Sequence, residues 1–110
     1  MLSFIPTPIG NKEDITLRAL RLFRELEIFF CEDTRTFMNL LRMYDIPLEG
    51  KQFHAFGSFN SPSKLHSYVE IAKNHDCGVV SEAGTPGLSD PGKILIQICN
   101  EHAIPFDVLP

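Results

Sequence analysis

Five short apolar runs alternate with segments of helical periodicity along this chain, and this alternation restricts the fold more than any other feature. The runs are nearly continuous, which is typical of strands buried on both faces of a sheet. They lie at Leu2 to Thr7, Leu26 to Cys31, Gln52 to Phe56, Cys77 to Ser81 and Pro105 to Leu109. Strands and helices in regular turn predict an α/β fold, with a largely parallel five-stranded sheet and helices on both faces.

Four helices are predicted between these strands, because apolar residues recur there with a helical period. We expect Asp14 to cap the first helix and Ser61-Pro62 to open the third. The apolar stripes are Ile15, Ala19, Leu22, Phe23 and Leu26, then Phe37, Leu40, Leu41 and Tyr44, then Leu65, Tyr68, Val69 and Ala72, and finally Leu95, Ile98, Cys99 and His102. Each stripe would bury one side of its helix against the sheet.

Length and composition fit one small globular domain of 110 residues, 44% of them hydrophobic and 22% charged. No apolar run approaches the length that crosses a bilayer, and the first residues lack the pattern of a secretory signal. We therefore expect a cytoplasmic protein with no membrane partner.

The net charge of −4 argues against a self-sufficient nucleic-acid binder, so an RNA partner would need basic groups from elsewhere. Cys31, Cys77 and Cys99 lie far apart among apolar residues, which favours reduced core thiols over a disulfide framework. The sequence contains no set of residues with metal-ligand spacing, and we predict no metal site.

Ligand binding is expected at the edge where the strands lead into the helices, because crevices form there in open parallel sheets. Three polar loops should meet at this edge: Pro6 to Asp14, Glu32 to Arg35 and Glu82 to Gly92. They hold most of the polar residues outside the predicted helices, and loops that converge on a rigid sheet commonly bind ligands.

The loop from Glu82 to Gly92 has three glycines and two prolines in eleven residues, so its backbone can approach a ligand closely. Hydroxyls of Thr85 and Ser89 and the carboxylates of Glu82 and Asp90 add hydrogen-bonding groups. The alternative is an elaborate turn with no ligand. The first turn, Thr7 to Asn11, has a single glycine and is a poor phosphate cradle, but it would line the same crevice.

Glu32, Asp33 and Arg35 have two interpretations. Asp33 or Thr34 would cap the following helix, whereas Arg35 in the first helical turn opposes the helix dipole and suits an anionic ligand instead. His54 is interpreted as a hydrogen-bonded structural residue. No Ser/His/Asp or Cys/His set is present, so the catalytic residues stay unassigned.

Four motifs taken together resemble one protein family: Ile5 to Asn11, Glu13 to Leu20, Glu32 to Arg35 and Ser81 to Gly92. It is the tetrapyrrole methylase-like class of S-adenosylmethionine (SAM) methyltransferases, and within it the bacterial 16S rRNA cytidine 2′-O-methyltransferases are the most similar group. Two departures are Glu82, where the family usually has aspartate, and Phe53 to Ser58, where it has a histidine-rich acidic stretch.

The resemblance implies that residues 1–110 form the N-terminal α/β domain of a two-domain enzyme, with SAM in the cleft between the domains. It also implies methylation of 16S rRNA or the 30S subunit, and a homodimer at full length. Glu32, Asp33 and Arg35 would contact the substrate. The residues that would bind the cofactor are Pro8, Ile9, Gly10, Ser81, Glu82, Ala83, Gly84, Thr85, Pro86, Gly87, Leu88, Ser89 and Asp90.

Two alternatives stay open. Other members of the class methylate a corrin or porphyrin carbon with the same cofactor cleft. A non-catalytic nucleotide-binding module of flavodoxin-like shape would also fit the predicted fold.

Overall fold

The strands and helices follow the predicted order in a computed structural model, which describes residues 1–8, 13–55, 62–82 and 90–110. The elements are β1 (Leu2–Thr7), α1 (Leu17–Glu25), β2 (Ile28–Cys31), α2 (Thr34–Met43), β3 (Gln52–Ala55), α3 (Pro62–Asn74), β4 (Cys77–Glu82), α4 (Asp90–Glu101) and β5 (Phe106–Val108). Every strand pair is parallel, in the order β3-β2-β4-β1-β5. The predicted fold class is confirmed.

The two sides of the sheet carry different helices and form separate cores. The side chains of α1 and α2 pack on one face, and those of α3 and α4 pack on the other. The connections through α1 and α2 run toward β3, whereas those through α3 and α4 run toward β5. Right-handed crossovers place their helices on opposite faces of the sheet when the chain moves in opposite directions across it, and this arrangement agrees with that rule.

A cluster of phenylalanine rings fills the core under α1 and α2. Phe29 of β2 is fully buried, and its ring centroid lies 6.2 Å from that of Phe23, 5.1 Å from that of Phe37 and 6.0 Å from that of Phe53. Gly78 of β4 leaves the space that the Phe29 ring occupies. The absence of a side chain at Gly78 therefore lets the Phe29 ring pack closely against β4.

Three details differ from the sequence-based prediction. The N-cap of α1 is Thr16, whose Oγ1 accepts from the Ala19 amide at 3.0 Å, so the prediction of Asp14 was wrong. Leu26 is the C-cap of α1, and β2 begins two residues after it. His102 is exposed and follows the end of α4, so it is not part of the buried face of that helix.

All three cysteines are buried free thiols, as predicted. Within the described ranges, no helix combines the length and apolar character needed to cross a membrane.

Candidate functional site

The strand order creates a crevice at the carboxyl edge of the sheet. Strand β4 lies between β2 and β1, and the chain leaves β1 and β2 toward one face but leaves β4 toward the other. Helices that diverge from adjacent strands open a gap above the strand ends, which is where ligands bind in folds of this type.

A pocket of about 440 Å³ occupies this position. Its floor comes from the ends of β1, β2 and β4, and one wall is α2 from Thr36 to Met43. The lining residues are Thr7, Pro8, Cys31, Glu32, Asp33, Thr36, Phe37, Asn39, Leu40, Met43 and Val80. The volume falls within the range of small-molecule sites, and the lining mixes an apolar base with a few polar groups, as such sites do.

Asp33 has the structural role that the sequence predicted, and it also lines the pocket. Its Oδ1 accepts from the Thr36 amide at 3.1 Å and so caps α2. The bonds from Thr36 hold the pKa of this carboxyl below its usual range, with a smaller contribution from the charge of Arg35. Asp33 is therefore ionised at neutral pH.

Glu32 and Arg35 occupy different positions around the pocket. The Glu32 side chain is exposed and lines the pocket mouth beside Asp33. Arg35 is exposed on α2 next to Thr36, but it is not one of the lining residues. Of the three predicted substrate residues, Glu32 and Asp33 line the pocket and Arg35 does not.

Cys31 ends β2 at the pocket base, where its thiol is protonated and unreactive. Burial, and secondarily the negative charge of Asp33, raise the pKa of the thiol to about 12. Its Sγ donates to the carbonyl oxygen of His54 at 3.9 Å. Because only the thiolate is nucleophilic, Cys31 serves as part of the apolar floor.

The predicted cofactor residues converge on the same edge where they are described. Pro8 lines the pocket. Ser81 and Glu82 end β4, opposite Pro6 and Thr7 of β1, and Asp90 begins α4. Ile9, Gly10 and residues 83–89 lie outside the described residues.

His54 packs on the other face of the sheet and takes no part in the pocket. Its ring centroid lies 5.4 Å from that of Phe30 and 5.3 Å from that of Tyr68. Burial lowers the pKa of His54. The expected hydrogen bond is missing at its buried Nε2, which has no partner among the described residues. The structural interpretation stands on ring packing instead.

The sequence analysis missed the pocket wall that α2 provides. Thr36, Asn39, Leu40 and Met43 recur at helical spacing and line the pocket together. A signal was available in the polar stripe that continues from Glu32 and Asp33 along one side of this helix. In the described part of the chain, His, Cys, Asp and Glu residues form no group of three suited to a metal ion.

Relatives of known name match nearly the whole of this chain. It is 42% identical over 110 residues to a ribosomal RNA small subunit methyltransferase I of Hydrogenobaculum sp., and 39% identical to that of Thermotoga maritima. Each alignment covers 99% of this chain but only 47% and 48% of the relatives, so the chain spans about half their length.

Solved structures share the fold. A uroporphyrin-III-C-methyltransferase from Thermus thermophilus matches with a TM-score of 0.66 and 18% sequence identity, over 99% of this chain and 46% of that one. The family model of the Tetrapyrrole (Corrin/Porphyrin) Methylases matches residues 1–110, as the sequence motifs implied. The chain belongs to the tetrapyrrole methylase family.

Proposed function

We propose that this chain forms one wall of the active site of a SAM-dependent methyltransferase that acts on a cytidine ribose 2′-hydroxyl of 16S rRNA. The observation that carries the proposal is the pocket at the carboxyl ends of β1, β2 and β4, in a chain so similar to ribosomal RNA small subunit methyltransferases I. The folds of more distant relatives support the family and not the choice of substrate.

The two sides of the pocket suit two different ligands. Pro8 and the adjoining ends of β1 and β4 form the side that we assign to SAM, which supplies a methyl group activated by its sulfonium. Glu32, Asp33 and Asn39 form the side that we assign to the nucleotide. Carboxylates accept hydrogen bonds from ribose hydroxyls and from the exocyclic amine of cytosine.

Catalysis on such a site rests chiefly on positioning. The pocket residues would hold the ribose hydroxyl in line with the methyl group, and alignment of this kind contributes much of the rate in transfer reactions. A hydroxyl is a weak nucleophile, so a proton acceptor is also needed. Cys31 is excluded from that role by its raised pKa.

The pocket charges also bear on the alternative of a tetrapyrrole substrate. A macrocycle bearing carboxylates would meet Glu32 and Asp33, and like charges held close together repel. Ribose and cytosine offer hydrogen-bond donors to the same two groups. RNA is therefore the better match to this side of the pocket.

The relatives are about twice as long as this chain, and we propose that the opposite wall of the cleft comes from a second α/β domain. We also propose that the complete protein is a homodimer, which light scattering would test. With one wall missing, the 110-residue chain should bind SAM weakly, because an open site excludes little water. Low-micromolar affinity in calorimetry would contradict this picture of a shared cleft.

The direct test uses the complete gene product and SAM with a labelled methyl group. We expect label in 16S rRNA of 30S subunits that lack the modification, and in a 2′-O-methylcytidine after digestion to nucleosides. Label in a tetrapyrrole precursor alone would refute the proposed substrate.

Glu32→Gln tests the nucleotide side of the pocket. Loss of one hydrogen bond to a charged group costs about 1.5–3 kcal/mol, so we expect kcat/KM for RNA to fall roughly 10- to 100-fold. The control is Glu49→Gln, which makes the same charge change at an exposed residue outside the pocket lining. Equal activities of the two variants would show that Glu32 does not contribute to binding the nucleotide.

A further inference from the structure

Arginine is distributed very unevenly over this molecule. All five arginines lie on α1 and α2, which cover the same face of the sheet. The only acidic residue within these two helices is Glu25, whereas α3 and α4 carry three lysines and three acidic residues. The arginines are Arg18, Arg21, Arg24, Arg35 and Arg42.

Four of these guanidinium groups are available to a partner. Arg18 is held by Asp107 of β5, with 2.6 Å between Nη2 and Oδ2. Arg21, Arg24 and Arg35 are exposed, and none has a salt bridge to another described residue. Apart from Glu25, the acidic residues between Glu13 and Glu49 lie in the connecting segments rather than within the two helices.

Arg42 is exposed and oriented by the pocket wall. Its Nη1 donates to Oδ1 of Asn39 at 2.8 Å, and Asn39 lines the pocket. One such bond leaves the remaining N–H groups of the guanidinium free. A side chain fixed in this way loses less entropy when it binds an anion.

Arg35 and Arg42 mark the two ends of the α2 wall. Arg35 precedes Thr36, and Arg42 precedes Met43, the first and last lining residues of this helix. The two arginines are seven positions apart, which is about 10 Å along the helix axis. They therefore lie on the same face of α2, beside the face that lines the pocket.

We infer that the face formed by α1 and α2 is the surface on which the phosphodiester backbone of the RNA substrate lies. Arg35 and Arg42 hold phosphates on either side of the nucleotide that enters the pocket, and Arg21 and Arg24 extend the track over α1. Arginine matches phosphate with paired N–H groups, and phosphate contacts fix the register of a nucleic acid. A nucleotide turned out of its strand can then reach an enclosed site.

This inference rests on the proposed function, and it changes one expectation from the sequence. The net charge of −4 indicated that basic groups for RNA would come from elsewhere. The arginines of α1 and α2 place cationic groups beside the pocket of a chain whose net charge is negative.

The test measures RNA binding by the complete gene product at several salt concentrations, with a 16S rRNA fragment that spans the methylated site. In R35Q/R42Q we expect the slope of log affinity against log salt to become shallower by about 1.4, at roughly 0.7 per single-strand phosphate contact. Affinity near 0.1 M salt should fall about tenfold or more. SAM binding by the same variant should be unchanged.

The matched control is K73Q/K93Q, which removes the same charge from exposed positions on α3 and α4. We expect this variant to bind RNA with the wild-type slope, and R21Q/R24Q to make the slope shallower. Wild-type RNA binding in R35Q/R42Q, or an equal loss in K73Q/K93Q, would overturn the inference while leaving the methyltransferase assignment intact. If the wild-type protein methylates no RNA, the proposed function fails and the inference fails with it.

Discussion

Substituting Gly78 by alanine tests how closely β4 packs against the phenylalanine cluster. A Cβ atom on Gly78 would lie 2.7 Å from Cδ1 and 2.9 Å from Cε1 of Phe29. The Phe29 ring is fully buried and is enclosed by Phe23, Phe37 and Phe53, so it has no free space to rotate into. The added methyl group must therefore displace packed atoms of the core.

The expected cost follows from two opposing terms. Overpacking of a well-filled core costs about 1–3 kcal/mol, and alanine in place of glycine recovers about 0.5–1 kcal/mol of backbone entropy. We expect a net loss of about 1–2 kcal/mol in the free energy of unfolding. For a chain of this size the midpoint of thermal unfolding should fall by roughly 4–8 °C.

Urea denaturation of the 110-residue chain, followed by circular dichroism, measures this loss in a double-mutant cycle. Phe29→Leu removes ring atoms from the contact, so G78A should cost little or nothing in that background. Gly50→Ala is the control: its Cβ would meet nothing within 4 Å, but its φ of +78° disfavours alanine by about 1 kcal/mol in either background. An equal cost of G78A with Phe29 and with leucine would refute the steric argument.

Three further predictions concern single residues. Lys51 Nζ donates to the carbonyl oxygen of Leu26 at 2.6 Å and closes the end of α1, so Lys51→Met should cost about 1–3 kcal/mol in urea denaturation. Ala103 has a φ of +55°, and Ala103→Gly should raise the free energy of unfolding by about 1 kcal/mol, seen as a higher melting temperature. Burial lowers the pKa of His54, so the unfolded chain binds the proton first and stability should fall as pH drops below about 6.5. His54→Phe keeps the aromatic packing and should reduce that slope; an unchanged slope would show that other groups cause it.

The fold was predictable because a short apolar run in the sequence marks each strand. The apolar run of β1 extends from Leu2 to Thr7, and that of β4 begins at Cys77. Neither run shows a helical pattern of apolar residues that would predict a helix instead. The start of α1 was not predictable in the same way. Asp14 and Thr16 are both good cap residues two positions apart, and only the hydrogen bond that the Ala19 amide donates to Oγ1 of Thr16 distinguishes them.

The candidate site was predictable only in part, since its geometry depends on strand order. Glu32 and Asp33 were found because a polar pair directly follows an apolar strand. Thr36 and Asn39 look like ordinary solvent-facing positions of an amphipathic helix. They become pocket residues because β2 lies beside β4, which brings α2 over the ends of the central strands, and no local pattern encodes that pairing.

The place of β1 between β4 and β5 has a consequence for the chain while it is being made. Leu2 pairs with Cys77 on one side and with Phe106 on the other, so β1 is synthesised well before either of its partner strands. At about 5–20 residues per second, the synthesis of Cys77 follows that of Leu2 by roughly 4–15 s. During that interval β1 has no strand to pair with, so an apolar segment of the nascent chain stays without its native sheet partners for several seconds.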